Sequence, residues 1–214
     1  MQTVLVYGAG GHGKVVADIL LASRDSRLAG FVDDRVELQS SHVLGLPVLG
    51  DGCWLGRTAP TSRIIVALGI GDNCARQRVA ERCLSWGMEL ATLVHPTATV
   101  SESAQLGLGT VVMAQAVINA GAVTRSGVIV NTGAIVEHDV QIGEFAHISP
   151  NAAMGGASRL GKFSHLGLGA VVIECVNIGS YTTIGAGAVV IRDIPDGVVA
   201  FGVPAKIHQA LKIS

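Results

Sequence analysis

The sequence is poor in aromatic and charged residues. Only 4% of its 214 residues are aromatic and 14% are charged, whereas 49% are hydrophobic. A conventional core of this size needs more Phe, Trp and Tyr, while the narrow interior of a solenoid is filled by Ile, Val, Leu and Ala. The formal net charge of −1 argues against nucleic-acid binding, which requires a basic surface.

Cysteine patterns and long apolar segments are also lacking. The four cysteines are Cys53, Cys74, Cys83 and Cys175, and they form no CxxC pair. The seven histidines are scattered, and neither the cysteines nor the histidines have the spacing of metal ligands. We therefore expect buried free thiols, a cytoplasmic protein and no bound metal. The N-terminus lacks the basic region of a signal peptide, and no run of about 18 apolar residues predicts a membrane span. The mean hydropathy of +0.50 without such a span indicates a buried interface in an oligomer.

What the sequence has instead is a six-residue period. From Val94 to Val190 every sixth residue is aliphatic except Thr124, and the residue four positions after each is small or β-branched. This period fits neither an α-helix nor a regular strand, and it is typical of a hexapeptide β-solenoid. Three hexads form one triangular coil, so residues eighteen positions apart should stack at the strand spacing of about 4.8 Å.

The residues before the repeat predict a small α/β unit with a parallel sheet. Apolar runs predict buried strands at 3–8, 28–32 and 64–68. Two helices are expected between and after them, at 9–23 and 76–87, the second capped by Asp72 or Asn73. We therefore divide the chain into a Rossmann-like unit at 1–93, a β-helix at 94–195 and a C-terminal cap at 196–214. Within the cap, residues 205–211 are expected to form a short closing helix.

A glycine-rich loop follows the first predicted strand. Gly8, Gly10 and Gly13 match the spacing G-x-G-x-x-G, and Asp33 lies about twenty residues further on. Backbone N–H groups at the N-terminus of such a helix bind diphosphates. Because the unit is too short for a complete dinucleotide-binding fold, we interpret the loop as a site for the diphosphate of a nucleotide sugar. A dinucleotide site for hydride transfer and a purely structural turn are the alternatives.

Further candidates surround this loop. His12 lies inside it, where its ring is placed to meet a phosphate or a sugar hydroxyl. Asp33 and Asp34 end one strand and Gly71 follows another, at the carboxyl edge where open α/β sheets bind ligands. Asn73 and Arg76 begin the next helix and are weaker candidates. The alternatives are a surface histidine without a role and aspartates that cap a helix or form a turn.

The solenoid contains few titratable residues, and His138 is flanked by Glu137 and Asp139. A neighbouring carboxylate orients an imidazole and stabilises its protonated form, which suits the removal of a proton from an attacking amine or hydroxyl. A solvated corner histidine is the alternative. His147 and His165 lie one full coil apart, so one of them is a candidate donor to a thioester carbonyl, unless the two form only a structural ladder.

Together these features resemble the bacterial sugar O- and N-acetyltransferases that join a short Rossmann-like N-domain to a left-handed parallel β-helix. The resemblance covers the whole chain. Within that family the chain is most similar to the UDP-4-amino-sugar N-acetyltransferases of bacillosamine-type synthesis. The specific stretches are YGAGGHGKVVADIL (7–20), FVDD (31–34), GIGDN (69–73), VNTGAIVEHDVQIGEFAHISPNAAMGG (130–156) and GVPAK (202–206).

The resemblance implies a role for individual residues of the β-helix. His138 is expected to be the catalytic base, and Asp139 the acid that raises its basicity, where the amino-sugar enzymes have Glu. His147 is expected to contact the thioester of acetyl-CoA, and Leu168 and Ala186 to line the channel for its pantetheine arm. The resemblance also implies a nucleotide-sugar site formed by Gly10, Gly11, His12, Asp33, Asp34 and Gly71.

The resemblance further implies an assembly and a reaction. The β-helices are expected to form a homotrimer, with each active site between neighbouring chains. The expected reaction is direct transfer from acetyl-CoA to the 4-amino group of a UDP-linked 4-amino-4,6-dideoxy sugar, without a covalent acyl-enzyme. Two alternatives remain at this point: an O-acetyltransferase of sialic acid or a related surface polysaccharide sugar, and a non-catalytic scaffold that binds a nucleotide sugar.

Overall fold

The computed structural model describes residues 2–23, 26–58 and 64–211. The chain divides into two compact units, residues 1–96 and 97–214. No helix among the described residues is both long enough and apolar enough to cross a membrane.

The first unit combines a mainly parallel sheet with α-helices, as predicted. Its elements are β1 (Gln2–Tyr7), α1 (Gly11–Ala22), β2 (Ser26–Val32), the 3-10 turn η1 (Val36–Leu38), β3 (His42–Val43), β4 (Leu46–Gly50), α2 (Gly52–Thr58), β5 (Ile65–Leu68), α3 (Asn73–Ser85), β6 (Glu89–Leu90) and β7 (Leu93–Val94). The strand order is β3-β4-β2-β1-β5-β6, and only the β3-β4 pair is antiparallel. Asp72 caps α3, because its side chain accepts a hydrogen bond from the backbone N–H of Ala75.

The register of this sheet brings three loops to one edge. Tyr7 at the end of β1 pairs with Val32 at the end of β2 and with Leu68 at the end of β5. The glycine loop, the Asp33–Asp34 pair and the loop of Gly71 therefore start side by side at the carboxyl edge of the sheet. This is the edge at which open parallel sheets bind ligands.

The second unit is a stack of two-residue parallel strands. These are β8 (Thr99–Val100), β9 (Val111–Val112), β10 (Val117–Ile118), β11 (Val123–Thr124), β12 (Ile129–Val130), β13 (Ile135–Val136), β14 (Gln141–Ile142), β15 (His147–Ile148), β16 (Ala153–Met154), β17 (Arg159–Leu160), β18 (His165–Leu166), β19 (Val171–Val172), β20 (Asn177–Ile178), β21 (Thr183–Ile184) and β22 (Val189–Val190), followed by β23 (Val198–Phe201) and β24 (Lys206–Ala210). Residues eighteen positions apart pair in register, as Ile129 does with His147 and His147 with His165. The β-solenoid predicted from the hexads is confirmed, and the stack is consistent with the left-handed parallel β-helix that the resemblance implies.

The strands of this unit form three faces. We call them the first face (β8, β10, β13, β16, β19, β22), the second face (β11, β14, β17, β20) and the third face (β9, β12, β15, β18, β21, β23, β24). From Gly109 to Gly187, the fourth residue of each hexad turns a corner with positive φ, either as glycine, such as Gly133, or as another residue, such as Asp139 or Phe145. Glycine, Asn and Asp accept this conformation at least cost.

The aliphatic series fills the interior of the prism, and its one polar member is accommodated by hydrogen bonds. Thr124 is buried. Its hydroxyl lies 3.2 Å from that of Thr110 and accepts a hydrogen bond from the backbone N–H of Gly107 at 3.1 Å. A buried hydroxyl costs little when it is paired in this way, so the repeat continues through Thr124.

Two expectations about this chain are wrong. Residues 206–210 form the strand β24, antiparallel to β23, instead of a closing helix. Pairing with the last strand of the third face satisfies backbone groups that would otherwise be exposed at an edge, and this outweighs the weak helix propensity of the segment. The cysteines are free as expected, but only Cys83 is buried. Cys175, for example, occupies a corner with φ of 59° and so faces outwards.

Candidate active site

His138 and Asp139 form an exposed pair at a corner of the β-helix. They lie between β13 of the first face and β14 of the second, and the His138 side chain is 62% exposed. The Nδ1 atom of His138 lies 2.9 Å from Oδ2 of Asp139. Because a carboxylate can only accept a hydrogen bond, Nδ1 carries the proton. Nε2 is then the nitrogen that can take a proton from a substrate.

The same pair changes the basicity of the imidazole. The hydrogen bond to Asp139 raises the pKa of His138 above its ordinary value. Desolvation opposes this rise, and the charges of Asp139 and Glu137 add to it. A stronger base is the expected consequence of a carboxylate behind a histidine. The prediction that Asp139 increases the basicity of His138 thus has a direct geometric cause.

Two glycines make room for the pair. A Cβ atom on Gly156, in the next coil, would lie 2.4 Å from Nε2 of His138, so the imidazole rests directly on this glycine. A Cβ atom on Gly121, in the preceding coil, would lie 2.6 Å from Oδ1 of Asp139. Asp139 itself has a φ of 60°, and its short side chain contacts His138. Aspartate therefore reaches Nδ1 without the extra methylene of Glu.

His147 lies on the outside of the third face. Its Nε2 atom is 3.0 Å from Nδ2 of Asn131, and its ring stacks on that of His165 with 4.7 Å between centroids and 12° between planes. His165 in turn lies 2.7 Å from Oγ of Ser149. Sequence reasoning predicted the stacked histidines, but it missed Asn131 as the partner of His147.

The predicted coenzyme A residues occupy a third location. Leu168 and Ala186 are exposed at the corner between the third face and the first. His138 lies at the corner between the first face and the second, opposite the third face that carries His147. The structure therefore groups Leu168 and Ala186 beside the face of His147, but one chain does not bring His138 together with them.

The glycine loop of the first unit begins α1. Gly10 is the N-cap residue, Gly11 is the first residue of the helix and His12 follows in its first turn. Burial, together with the charge of Arg76, lowers the pKa of His12 to about 4, so the ring is neutral at neutral pH. A Cβ atom on Gly71 would lie 3.8 Å from Cβ of His12. The structure thus places Gly71 beside the glycine loop, as its position in the sequence predicts.

Both aspartates at this edge already have protein partners. Asp33 accepts the backbone N–H of Ala9 at 2.7 Å and a two-pronged contact from Arg35 at 2.9 and 2.8 Å. Burial opposes the ionisation of Asp33, yet these hydrogen bonds together hold its pKa below the ordinary value. Asp34 accepts hydrogen bonds from the Tyr7 hydroxyl, from the backbone N–H of Gly52 and from Arg82. Through its hydrogen bond with the backbone of Ala9, Asp33 thus holds the glycine loop in place.

A pocket of about 500 Å³ opens at the same edge. It is lined by Tyr7, Gly8, Asp33, Asp34, Ile70, Ala75, Arg78, Val79 and Arg82. Sequence reasoning predicted Asp33 and Asp34 here but missed the basic side chains of Arg78 and Arg82. Their position on α3 is a signal that could have been used, because α3 starts at the same sheet edge. Arg76 is instead fully buried and donates to the backbone carbonyls of Ile70 and Gly71, so it shapes the loop of Gly71 from inside.

A larger groove of about 850 Å³ runs along the second face, with Arg125, Gln141, Arg159, Asn177 and Asp193 among its lining residues. None of the residues predicted for catalysis or coenzyme binding lines it. In the described part of the chain, no group of three His, Cys, Asp or Glu side chains is arranged to hold a metal ion. The His138–Asp139 pair and the His147–His165 stack both lie outside this groove.

Known proteins are similar to both units of this chain. Residues 3–83 match the family described as PglD N-terminal domain. The chain is 41% identical to UDP-N-acetylbacillosamine N-acetyltransferase of Bacillus subtilis over 117 residues, which cover 53% of this chain and 52% of that protein. It thus spans about half the length of this relative.

Several solved structures match nearly the whole chain. PerB of Caulobacter crescentus, in complex with CoA and GDP-perosamine, is 40% identical with a TM-score of 0.91, and the match covers 98% of each chain. Variants of this perosamine N-acetyltransferase with one histidine replaced by Asn or Ala also match, again in complex with CoA and GDP-perosamine. The PglB acetyltransferase domain of Neisseria gonorrhoeae, in complex with acetyl coenzyme A, is 43% identical with a TM-score of 0.89 over 97% of this chain and 99% of that chain. These matches confirm the resemblance on which the expectations rest, and the chain belongs to the family of sugar N-acetyltransferases in which a PglD-type N-terminal domain precedes a left-handed parallel β-helix.

Proposed function

We propose that this protein transfers the acetyl group of acetyl-CoA to the 4-amino group of a UDP-linked 4-amino-4,6-dideoxy sugar. The observation that carries the proposal is the exposed His138–Asp139 pair, whose geometry leaves a basic Nε2 atom at the surface. The complexes of the Caulobacter and Neisseria relatives with CoA, GDP-perosamine and acetyl coenzyme A support it. The free cysteines are consistent with a reducing cytoplasm.

The reaction needs one base and two bound substrates. The amine nitrogen of the sugar attacks the thioester carbon while Nε2 of His138 takes its proton. The carbon–sulfur bond breaks, and the coenzyme A sulfur leaves and recovers that proton from the imidazolium as the free thiol. Asp139 stabilises the imidazolium through Nδ1. Both substrates are held in place, so no covalent acyl-enzyme is required.

The first unit supplies the proposed nucleotide-sugar site. The N-terminus of α1, at Gly10 and Gly11, provides backbone N–H groups for a diphosphate. The pocket at the sheet edge adds Arg78 and Arg82, whose charges suit the same anion. His12 is neutral at pH 7 because its pKa is about 4, so it serves as a hydrogen-bonding group and not as a charge. Asp33 holds the loop in position through the Ala9 backbone.

The separation of His138 from the coenzyme residues supports a trimer. The first face is bounded on one side by the corner of His138 and on the other by the corner of Leu168 and Ala186. When three copies turn this face towards a common threefold axis, rotation brings the His138 corner of one copy beside the Leu168 corner of the next. The site that the reaction needs is then completed between neighbouring chains.

The surface of the first face fits this arrangement. Beyond the polar Thr99 at its end, its outward-pointing side chains form an aliphatic stripe: Val117, Ile135, Ala153, Val171 and Val189. Ile135 and Val171 are each 40% exposed in the single chain. The corresponding positions of the second face are mostly polar, with Gln141, Arg159 and Asn177. A contiguous apolar stripe of this kind marks an interface between subunits.

An aspartate in the stripe should dissociate the assembly. We expect Val171→Asp to shift the particle from three chains towards the single-chain mass of 21.9 kDa, because the carboxylate would be buried without a partner. We also expect acetyl transfer to fall with it, because each site needs two chains. Light scattering after gel filtration measures the mass, with Asn177→Asp on the second face as the control. An active wild-type monomer, or a Val171→Asp variant with full mass and activity, would contradict the assembly.

A coenzyme A release assay tests the activity itself. The protein and acetyl-CoA are incubated with a UDP-linked 4-amino-4,6-dideoxy sugar, its GDP-linked counterpart, UDP-GlcNAc and free sialic acid. We expect thiol release with the UDP-linked amino sugar. Release only with the GDP-linked sugar would keep the acetyl transfer and correct the nucleotide. Release with sialic acid alone would replace the proposal by O-acetylation, and no release with any acceptor would count against both.

A further inference from the structure

The Asn131 side chain has only one possible orientation. Its Oδ1 atom accepts the backbone N–H of Thr132 at 2.8 Å. The other end of the amide, Nδ2, faces Nε2 of His147 at 3.0 Å. The Thr132 contact fixes which end is which, because a backbone N–H can only donate and therefore requires the amide oxygen.

This orientation determines where the proton of His147 lies. The amide Nδ2 group of Asn131 can only donate, so Nε2 of His147 must accept and cannot carry a proton. The neutral ring then has its proton on Nδ1. Protonation of Nε2 would place two donors against each other at 3.0 Å. The ring of His165 stacks on His147 with 4.7 Å between centroids. When His165 is protonated, its charge also disfavours protonation of His147.

The neighbouring contact in the ladder lacks this constraint. His165 meets the hydroxyl of Ser149 at 2.7 Å, and a hydroxyl can donate or accept. Ser149 therefore leaves both tautomers of His165 open. Asn131 and Ser149 occupy equivalent positions of successive coils. The amide of Asn131 fixes the tautomer of His147, whereas the hydroxyl of Ser149 does not fix that of His165.

We propose that Asn131 is a positioning residue that holds His147 as the neutral tautomer with its proton on Nδ1, so that His147 acts as a hydrogen-bond donor and never as the acid or base of the reaction. This rests on the proposed function in one respect, namely that His147 meets the thioester of acetyl-CoA. A fixed donor suits that task, since a carbonyl oxygen that gains negative charge needs a donor already in place. His138 remains the group that moves the proton.

The test is a comparison of the wild type with Asn131→Asp and Ser149→Ala, in the full-length protein with ¹⁵N-labelled histidine. Nitrogen chemical shifts distinguish a protonated ring nitrogen from an unprotonated one, and the His147 signals are identified by their loss in His147→Gln. We expect wild-type His147 to show a protonated Nδ1 and an unprotonated Nε2 across the neutral range. In Asn131→Asp the carboxylate accepts, so Nε2 should become protonated, while Ser149→Ala should leave the His147 signals unchanged.

Kinetics give a second readout that a merely structural role would not move. In Asn131→Asp the imidazolium keeps its Nδ1 proton at low pH, but the neutral ring at high pH carries its proton on Nε2. The ratio of variant to wild-type kcat/KM for acetyl-CoA should therefore fall as pH rises, by at least about tenfold once the donor is lost. A wild-type His147 protonated on Nε2, or equal spectra in wild type and Asn131→Asp, would overturn the proposal. The spectra need no substrate, so they remain decisive even if acetyl transfer is not observed.

Discussion

Replacing His138 by alanine is expected to lower kcat for acetyl transfer by about 10²–10⁴-fold, the usual contribution of a positioned general base. The imidazole is exposed and rests on Gly156, so its removal leaves no buried cavity and should hardly change the stability of the β-helix. Affinity for acetyl-CoA should also persist, because the substitution leaves His147, Leu168 and Ala186, the residues expected to contact it, in place. The loss should therefore appear in kcat and not in the KM for acetyl-CoA.

Initial rates of thiol release measure this effect, with Glu144→Ala as the matched control. Glu144 is also exposed and also occupies the third position of its hexad, at a different corner. A His138→Ala variant with near-normal kcat, or a Glu144→Ala variant that is equally impaired, would remove His138 from the role of base.

The pH profile provides an independent check on the same residue. Only unprotonated His138 can act as a base, and the hydrogen bond to Asp139 raises its pKa. The wild-type kcat/KM should therefore rise with pH, along a limb that lies at higher pH than that of a histidine with an ordinary pKa. Asp139→Asn removes the negative charge and leaves only a neutral amide oxygen as acceptor, so the rising limb should move to lower pH while the plateau falls. A limb that stays in place would show that another group controls it.

The hexad series predicted much of the second unit because it repeats one local rule. Each aliphatic residue points inwards and stacks on the residue one coil away, and the register of His147 with His165 follows from the same eighteen-residue spacing. The His138–Asp139 contact was also predictable, since the two residues are adjacent. In these cases the information is local or strictly periodic.

The contacts that sequence reasoning missed are neither local nor periodic. Asn131 reaches His147 diagonally across sixteen residues, and a periodic pattern predicts columns but not diagonals. Gly156 supports His138 from the next coil, yet a glycine in a glycine-rich chain gives no signal of such a role. Arg82 reaches Asp34 across the sheet edge, which depends on how α3 packs. The segment 206–210 became a strand for the same kind of reason, because a distant edge was available for pairing.

The second large effect is expected at Gly13, on the first turn of α1. A Cβ atom there would lie 1.8 Å from the carbonyl oxygen of Gly8, far inside any possible contact. The Gly8 carbonyl cannot retreat easily, because Gly8 has a φ of +107° and its N–H is bonded to the carbonyl of Val32 at 2.7 Å. Alanine is favoured over glycine within a helix by only about 1 kcal/mol. We therefore expect Gly13→Ala to destabilise the first unit by about 1–3 kcal/mol or more.

Gly11→Ala is the matched control, because Gly11 lies in the same turn and a Cβ atom there would meet nothing within 4 Å. Alanine has a higher helix propensity than glycine, so the free energy of unfolding of the first unit should stay the same or rise in Gly11→Ala. Both tryptophans of the chain, Trp54 and Trp86, lie in the first unit, so their fluorescence follows the unfolding of this unit in urea. Gly13→Ala should also displace the glycine loop. We therefore expect this variant to bind the nucleotide sugar at least about tenfold more weakly than the wild type, which corresponds to 1.4 kcal/mol. Equal stability of the two variants would mean that α1 can move away from the Gly8 carbonyl. Intact sugar binding in a destabilised Gly13→Ala protein would instead show that the diphosphate does not rest on this loop.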